Sequence, residues 1–392
     1  MLRAPESVVI TGCGVVSPLG VGLDVFWHDL LAGRTAIAPI RRFRADDLAP
    51  ASAAEVAIDV PDADRAGAFG LRAAAEALEA ASLRPLEVEP SRFGVVLGTT
   101  LGGMGILELW DAAAAAGAPP PPDLDRMPYY APAARLAAAL GARGPVATTQ
   151  LACASGTQAV AVAADWVRAG RADVVLAGGT DLLCRFVVAG FNCLRATAAE
   201  ARPFDRDRCG LVLGEGAAVV VVEDEVHAAR RGAAPRARVL GAGAAADAVH
   251  MTAPDREGGG VVRAVEAALK HAGLPASAVD FVSAHGTGTV FNDAMEARAL
   301  RRVFGDGGVP VNAIKGALGH TLGAAGAFEA ALCVGVLERG VIPPTTGLRT
   351  PDPACAGLDL VRGEPRRHDV RVALSTSSGF AGANAALVLG KA

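Results

Sequence analysis

The chain has 392 residues, of which 52% are hydrophobic but only 4% aromatic, and a formal net charge of −4. That length allows one large domain or two ordinary ones, with a core that must be built from Ala, Val and Leu. The charge balance, with no dense Lys/Arg stripe, argues against a nucleic-acid binder; pairs such as Arg230-Arg231 and Arg301-Arg302 read as solvated helix faces or as contacts for an acidic protein.

From the N-terminus, Met1 to Ser7 carries Arg3 and Glu6 and offers no apolar core for a signal peptide. Strand-like runs then alternate with helical ones, the pattern of a layered α/β fold. A strand at Val8–Thr11 is followed by helices over 22–32 and 66–82, and a strand at Gly94–Leu97. The segment DAAAAAGAPPPPD (111–123) passes from an Ala-rich turn into a proline run that must be extended, and reads as a surface loop. A helix over 132–141 precedes strand Val146–Leu151, helix 154–169 and strands Val174–Ala177 and Ala217–Val222. The remainder predicts strands Ala237–Gly241, Val279–Ser283, Val309–Asn312, Val372–Thr376 and Ala386–Leu389, with helices over 259–272, 293–303 and 323–338. No uncharged stretch reads as a membrane span.

The seven cysteines (13, 153, 184, 193, 209, 333, 355) show no CxxC pairs and an odd count, which argues against a zinc site or disulfide framework and suits a reduced, cytoplasmic protein. Cys153, in LACASG (151–156), stands between a strand and a helix. An alanine-flanked cysteine is ordinarily core filler, but the following Ser-Gly-Thr permits close approach of a substrate. Free N–H groups and a helix dipole there favour thiolate and can donate to an oxyanion. Downstream, His285 lies in SAHGTGT (283–289) and His320 in NAIKGALGH (312–320), both in glycine-rich turns where imidazoles could serve a second oxyanion. A strand leading to Cys153 and then a helix is echoed by a strand near 309–312, Lys315 and His320, then a helix from Gly323. By itself that echo leaves a duplication open.

With these residues go VVITGCGVVSPLG (8–20), RFGVVLGTTLGGM (92–104), DVVLAGGTD (173–181), RPFDRDRCGLVLGEG (202–216), HMTAP (250–254) and GAAGAFEA (323–330). Over nearly its whole length the chain resembles the elongating β-ketoacyl-acyl-carrier-protein synthases of the synthase I/II type, in the thiolase superfamily. The resemblance implies a thiolase-like α/β fold, with duplicated halves in a five-layer αβαβα arrangement, residues 1–235 bearing the nucleophile and 236–392 bearing the His/Lys/His set and a gate loop. It implies that Cys153 takes an acyl chain from the phosphopantetheine arm of an acyl carrier protein, with the N–H groups of Cys153 and Phe380 as oxyanion donors. His285 and His320 are then the donors to the enolate formed when malonyl thioester loses CO₂. Glu296, in NDAMEAR (292–298), matches the carboxylate that pairs with Lys315, with Asp293 as a second acid; Thr287 and Thr289 match pantetheine-binding positions. Phe380 matches the gate, and Leu101 and Phe191 match acyl-pocket positions.

The same resemblance implies a homodimer or a heterodimer with a homologous partner, no cofactor of the chain's own, and no nucleic acid or membrane partner. A non-catalytic, chain-length-factor-like partner subunit is the rival reading, but such subunits typically lack the cysteine. Thiolases acting on coenzyme A thioesters use a second cysteine that has no matching motif here. The chain departs from the family in its gate, GFAGAN (379–384), where Ala381 and Ala383 stand for a glycine and a threonine and Ser378 for an aromatic. Leu151 replaces a threonine, Gly288 often a serine, and the loops around 111–127 and 195–202 look shortened. Ala381 is expected to stiffen the gate if opening requires a positive φ there. These departures leave the choice between fatty-acid and polyketide or polyene substrates open, leaning to the specialised pathway.

Overall fold

The computed structural model describes residues 7–60 and 64–392. Met1–Glu6, part of the segment considered for a signal peptide, lies outside the described residues. In the first half, β1 (Val8–Ser17), α1 (Arg65–Ala80), β2 (Phe93–Gly98), α2 (Ala131–Leu140), β3 (Val146–Thr149), α3 (Ser155–Arg168), β4 (Val174–Asp181) and β5 (Gly216–Asp224) follow one another. The second half repeats the series with β6 (Ala237–Ala246), α4 (Gly259–Ala272), β7 (Phe281–Ser283), α5 (Val290–Phe304), β8 (Pro310–Asn312), α6 (Ala325–Arg339), β9 (Val372–Gly379) and β10 (Ala383–Lys391).

The strand orders are β3-β2-β4-β5-β1 and β8-β7-β9-β10-β6, the same permutation twice, and the two sheets join where β1 pairs with β6 at Val9↔Arg238. In each half three neighbouring strands are parallel and the last two pairings are antiparallel. The duplication that the sequence echo left open is thus plain in the topology.

Five layers follow from which faces are apolar. β1, β4 and β5 run Val-, Ile- and Ala-rich and are buried along their whole length, as strands covered on both faces must be. Helices α3 and α6 fill the space between the sheets; α1 and α2 cover one outer face and α4 and α5 the other. Every residue from Ala325 to Leu337 of α6 is buried, and its larger apolar side chains each contribute roughly 1.5–3 kcal/mol by leaving water. With so few aromatics, close approach supplies the density. A Cβ on Gly156 would lie 2.8 Å from Ala327 N, and one on Gly326 2.0 Å from Thr157 Oγ1, so α3 and α6 touch backbone to backbone. That crossing sets the distance between Cys153, just before α3, and His320, just before α6.

Helix Met104–Ala115 takes in the Ala-rich start, 111–115, of the stretch read as a loop, and helix Arg185–Cys193 was not anticipated. Only Ile106 is buried in the first, so its apolar pattern carried little signal, although alanine's helix propensity did. Among the described residues no helix is long and apolar enough to cross a membrane.

Candidate active site

Cys153 sits on a turn fixed by its neighbours. Ala152 is left-handed at φ 47°. Ser155 Oγ donates to Ala152 O at 2.6 Å and accepts from Leu151 N–H at 2.8 Å, while Thr149 Oγ1 donates to Ser155 O at 2.8 Å. Gly379, from the other half, closes on this turn: a Cβ there would be 3.0 Å from Cys153 N. The thiol lines a cleft of ≈320 Å³ together with His285, His320, Thr287, Thr289, Phe191 and Phe380.

The expected thiolate is not what this resting site favours. Burial pushes the Cys153 thiol up to about 12; Lys315 opposes the rise, and Asp181 and Glu329 add to it. Burial likewise lifts Cys13, Cys184 and Cys355 to about 12, so acidity does not single out Cys153. What does is its place on the cleft beside two histidines. Cys209 is exposed and lines the same cleft, so a small reagent will meet it as well.

Both histidines are buried, and their rings meet edge to face at 5.3 Å between centroids. Burial, then the Lys315 charge, holds both well below the usual imidazole range, with His320 lowering His285 further. They are therefore neutral, and their tautomers are set. Leu322 N–H donates to His320 Nδ1 at 3.2 Å, and the Lys315 ammonium stands 3.3 Å from His285 Nδ1. An ammonium can only donate, so each Nδ1 accepts and each proton resides on Nε2.

Lys315 corrects one expectation. Its carboxylate is Glu329, at 2.5 Å, not Glu296. Lys315 also donates to His285 O at 2.5 Å, and Ser377 Oγ donates to Glu329 Oε2 at 3.0 Å. Burial raises Glu329 to about 7 against the pull of Lys315 and Ser377. Glu296 instead accepts from His285 N–H at 2.7 Å, Gly286 N–H at 2.8 Å and Thr376 Oγ1 at 2.9 Å, so it holds the His285 turn by its backbone. Asp293 accepts from Phe204 N–H at 2.7 Å and Gly288 N–H at 3.1 Å and ties down the same loop. Glu329 is the only charge in the buried run of α6, a signal that the sequence did contain.

Thr287 and Thr289 lie 2.9 Å apart through their hydroxyls, and Thr289 caps α5 by accepting from Asn292 N–H. Phe380 stacks on Phe191 at 5.5 Å. Leu101 does not line the cleft; it is buried in the apolar cluster of Leu182, Leu183, Val187 and Leu322 against which Phe191 packs. Among the described residues no group of three or more His, Cys, Asp or Glu is arranged to hold a metal ion.

The histidines yield a pH prediction. Neutral when folded, they gain protons on unfolding below the unfolded pKa of about 6.5, so the unfolded state binds more protons there. Stability should then fall as pH drops below about 6.5, by at most about 1.4 kcal/mol per pH unit for each histidine. Urea denaturation at several pH values checks this, and replacing His320 by Gln should flatten the slope.

Residues 5–228 match the family described as Beta-ketoacyl synthase, N-terminal domain, and residues 236–349 match Beta-ketoacyl synthase, C-terminal domain. The chain is similar to a putative polyketide beta-ketoacyl synthase 1 of Streptomyces halstedii, with 39% identity over 97% of each chain. It is 36% identical to the 3-oxoacyl-acyl-carrier-protein synthase 2 of Coxiella burnetii, over 98% of both. Among solved structures, the ishigamide ketosynthase/chain length factor superposes with a TM-score of 0.94 at 38% identity, covering 99% of this chain and 100% of that one.

Proposed function

Since the chain belongs to the β-ketoacyl synthase family and is a condensing acyltransferase, we propose that it is an elongating synthase joining an acyl group held on Cys153 to malonyl carried by an acyl carrier protein. One observation carries this reading: Cys153 and two neutral, tautomer-locked histidines open onto one cleft. The carrier protein enters through the name of the Coxiella relative, and the phosphopantetheine arm is substrate; no other cofactor is invoked.

In the first half-reaction Cys153 Sγ attacks the acyl thioester carbonyl. The tetrahedral oxyanion faces the N–H groups of Cys153 and Phe380, the pantetheine thiolate leaves, and it takes up the proton that the cysteine gives up. In the second, the malonyl thioester loses CO₂ and its carbonyl oxygen becomes an enolate held by His285 and His320 Nε2–H. Two fixed donors in a buried site stabilise that charge without a base. The enolate carbon then attacks the acyl-Cys carbonyl; the carbon–carbon bond forms, the C–S bond breaks, and Cys153 recovers a proton. Lys315, paired with Glu329, fixes the His285 ring through Nδ1, and its charge helps keep both imidazoles neutral. Thr287 and Thr289 line the path of the pantetheine arm, while Phe191 and Phe380 border the acyl entrance. The N-terminal half contributes the nucleophile and the C-terminal half the His/Lys/His set, as the 1–235 and 236–392 division has it.

A polyketide or polyene pathway is favoured by the altered gate. Ala381 adopts φ 62° while Phe380 stacks on Phe191, so the covered arrangement carries backbone strain at this alanine. Ala381→Gly is therefore expected to stabilise that arrangement by about 1 kcal/mol and to slow Cys153 acylation, the reverse of a gate stiffened against opening. Thermal melts and acylation rates across chain lengths check it; faster acylation would place the positive φ in the open state too.

A dimer, with itself or with a homologous subunit, fits the unpaired edge strand β3 and the exposed Trp110, Tyr130 and Phe186. Seven free thiols fit the reduced cytoplasm. The test of function is mass spectrometry of Cys153 after incubation with a panel of acyl-carrier proteins. An acyl adduct on that residue supports the reading, and its absence across the panel defeats it.

A further inference from the structure

Each histidine turn is held by a buried carboxylate, but the two carboxylates come from different halves. Glu296 holds the His285 turn from within the C-terminal half. The His320 turn is held from the N-terminal half by Asp181, the last residue of β4, fully buried. Its Oδ1 accepts from Thr99 Oγ1 at 2.7 Å and Leu101 N–H at 2.9 Å; its Oδ2 accepts from Thr100 N–H at 2.8 Å and Gly323 N–H at 2.6 Å. All four partners are uncharged donors, so the carboxylate fastens backbone rather than neutralising a cation.

Gly323 closes a four-residue turn that starts at His320 and carries Leu322 in the left-handed region at φ 54°. An L-residue stays there only where its surroundings hold it. Leu322 N–H is the donor that fixes His320 Nδ1. The chain of contacts runs from Asp181 to Gly323, to the strained Leu322, to the imidazole that must present Nε2–H. The arrangement is reciprocal: Gly379, at the end of β9, seats the Cys153 turn, while Gly179, near the end of β4, lies so close that its Cβ would be 2.7 Å from Gly323 O. Each half seats the other half's reactive turn.

We propose that Asp181 is a positioning residue for enolate stabilisation, holding from the N-terminal half the turn that keeps His320 in its Nε2–H tautomer. The inference rests on the condensing reading above. Asparagine at 181 keeps the shape but offers one acceptor oxygen where the carboxylate offers two, so whichever way the amide faces its NH₂ opposes a backbone N–H and the clamp on the Gly323 turn is weakened.

The test is Asp181→Asn in the full chain, with malonyl-carrier-protein decarboxylation and Cys153 acylation measured side by side. The ring nitrogens of His320 are observed by NMR in ¹⁵N-histidine-labelled parent and variant. Decarboxylation should fall on the order of 10-fold or more, short of the about 10²–10³ expected for losing an oxyanion donor outright. Acylation should hold or quicken, because Asp181's charge is among those raising the thiol. The parent should show His320 unprotonated at Nδ1, and the variant should lose that single-tautomer signature. Thr99→Val, which removes another partner of Asp181 but spares Gly323, should decarboxylate near the parent rate. The proposal is overturned if the parent's His320 carries its proton on Nδ1, if Thr99→Val falls as far as Asp181→Asn, or if the asparagine variant decarboxylates normally or loses both half-reactions together. A parent protein that performs neither half-reaction would defeat the condensing reading itself, which separates the two failures.

Discussion

Cys153→Gln is expected to abolish condensation while malonyl decarboxylation remains measurable. The substitution removes the cleft sulfur that lies beside both histidines and is seated by the Gly379 turn, so no acyl-enzyme forms and the carbon–carbon step has no electrophile. The enolate donors are untouched: His285 and His320 keep their Nδ1 partners, and a neutral amide fills the space that an acylated cysteine would occupy. Carrier-protein product analysis and CO₂ release, run on one preparation, read the two steps separately. Condensation surviving in the variant would move the nucleophile elsewhere, with Cys209 the first residue to examine.

Glu329→Ala is expected to destabilise the fold by about 3–5 kcal/mol, because it strands the Lys315 ammonium in a buried site without its carboxylate. Lys315 is 2% exposed and Glu329 0%, so water cannot substitute for the lost partner. Glu329→Gln retains a hydrogen-bond acceptor and should cost less. Denaturant unfolding orders the three proteins, and the prediction fails if alanine and the parent unfold together. Glu296→Ala should behave differently: it frees the N–H groups of His285 and Gly286 and leaves Lys315 paired, so its main effect falls on His285 placement.

Much of the site was legible in the sequence because its reactive groups sit in turns with distinctive small neighbours. Cys153 before Ser-Gly-Thr, His285 before Gly286 and His320 after Gly319 all announce backbone that must come close to something. The strands also read well, since both faces of each sheet are covered and the runs are continuously apolar. Pairing was harder. Glu296 and Glu329 both lie on helices following a catalytic turn, and sequence spacing cannot say which of them the long Lys315 side chain reaches; in the fold it reaches Glu329, while Glu296 is taken up by the His285 and Gly286 N–H groups. Ionisation was harder still: helix position suggested a thiolate at Cys153, but burial outweighs the dipole in the resting site. Leu101 is set back from the cleft in the apolar cluster against which Phe191 packs, a placement fixed by tertiary contacts and not by its own neighbours. For Ala381 the sequence revealed the unusual residue but not which gate state carries the positive φ.

The central claim is that one cleft couples acyl transfer to Cys153 with decarboxylation under two histidines. The most direct measurement supplies malonyl-carrier protein labelled in its free carboxyl group to enzyme already acylated at Cys153, then follows label release and product mass together. The account predicts one CO₂ lost for each β-ketoacyl-carrier protein formed, with the acyl mass leaving the Cys153 peptide in step. Label released with no β-ketoacyl product, or product formed while the acyl group stays on Cys153, would contradict it.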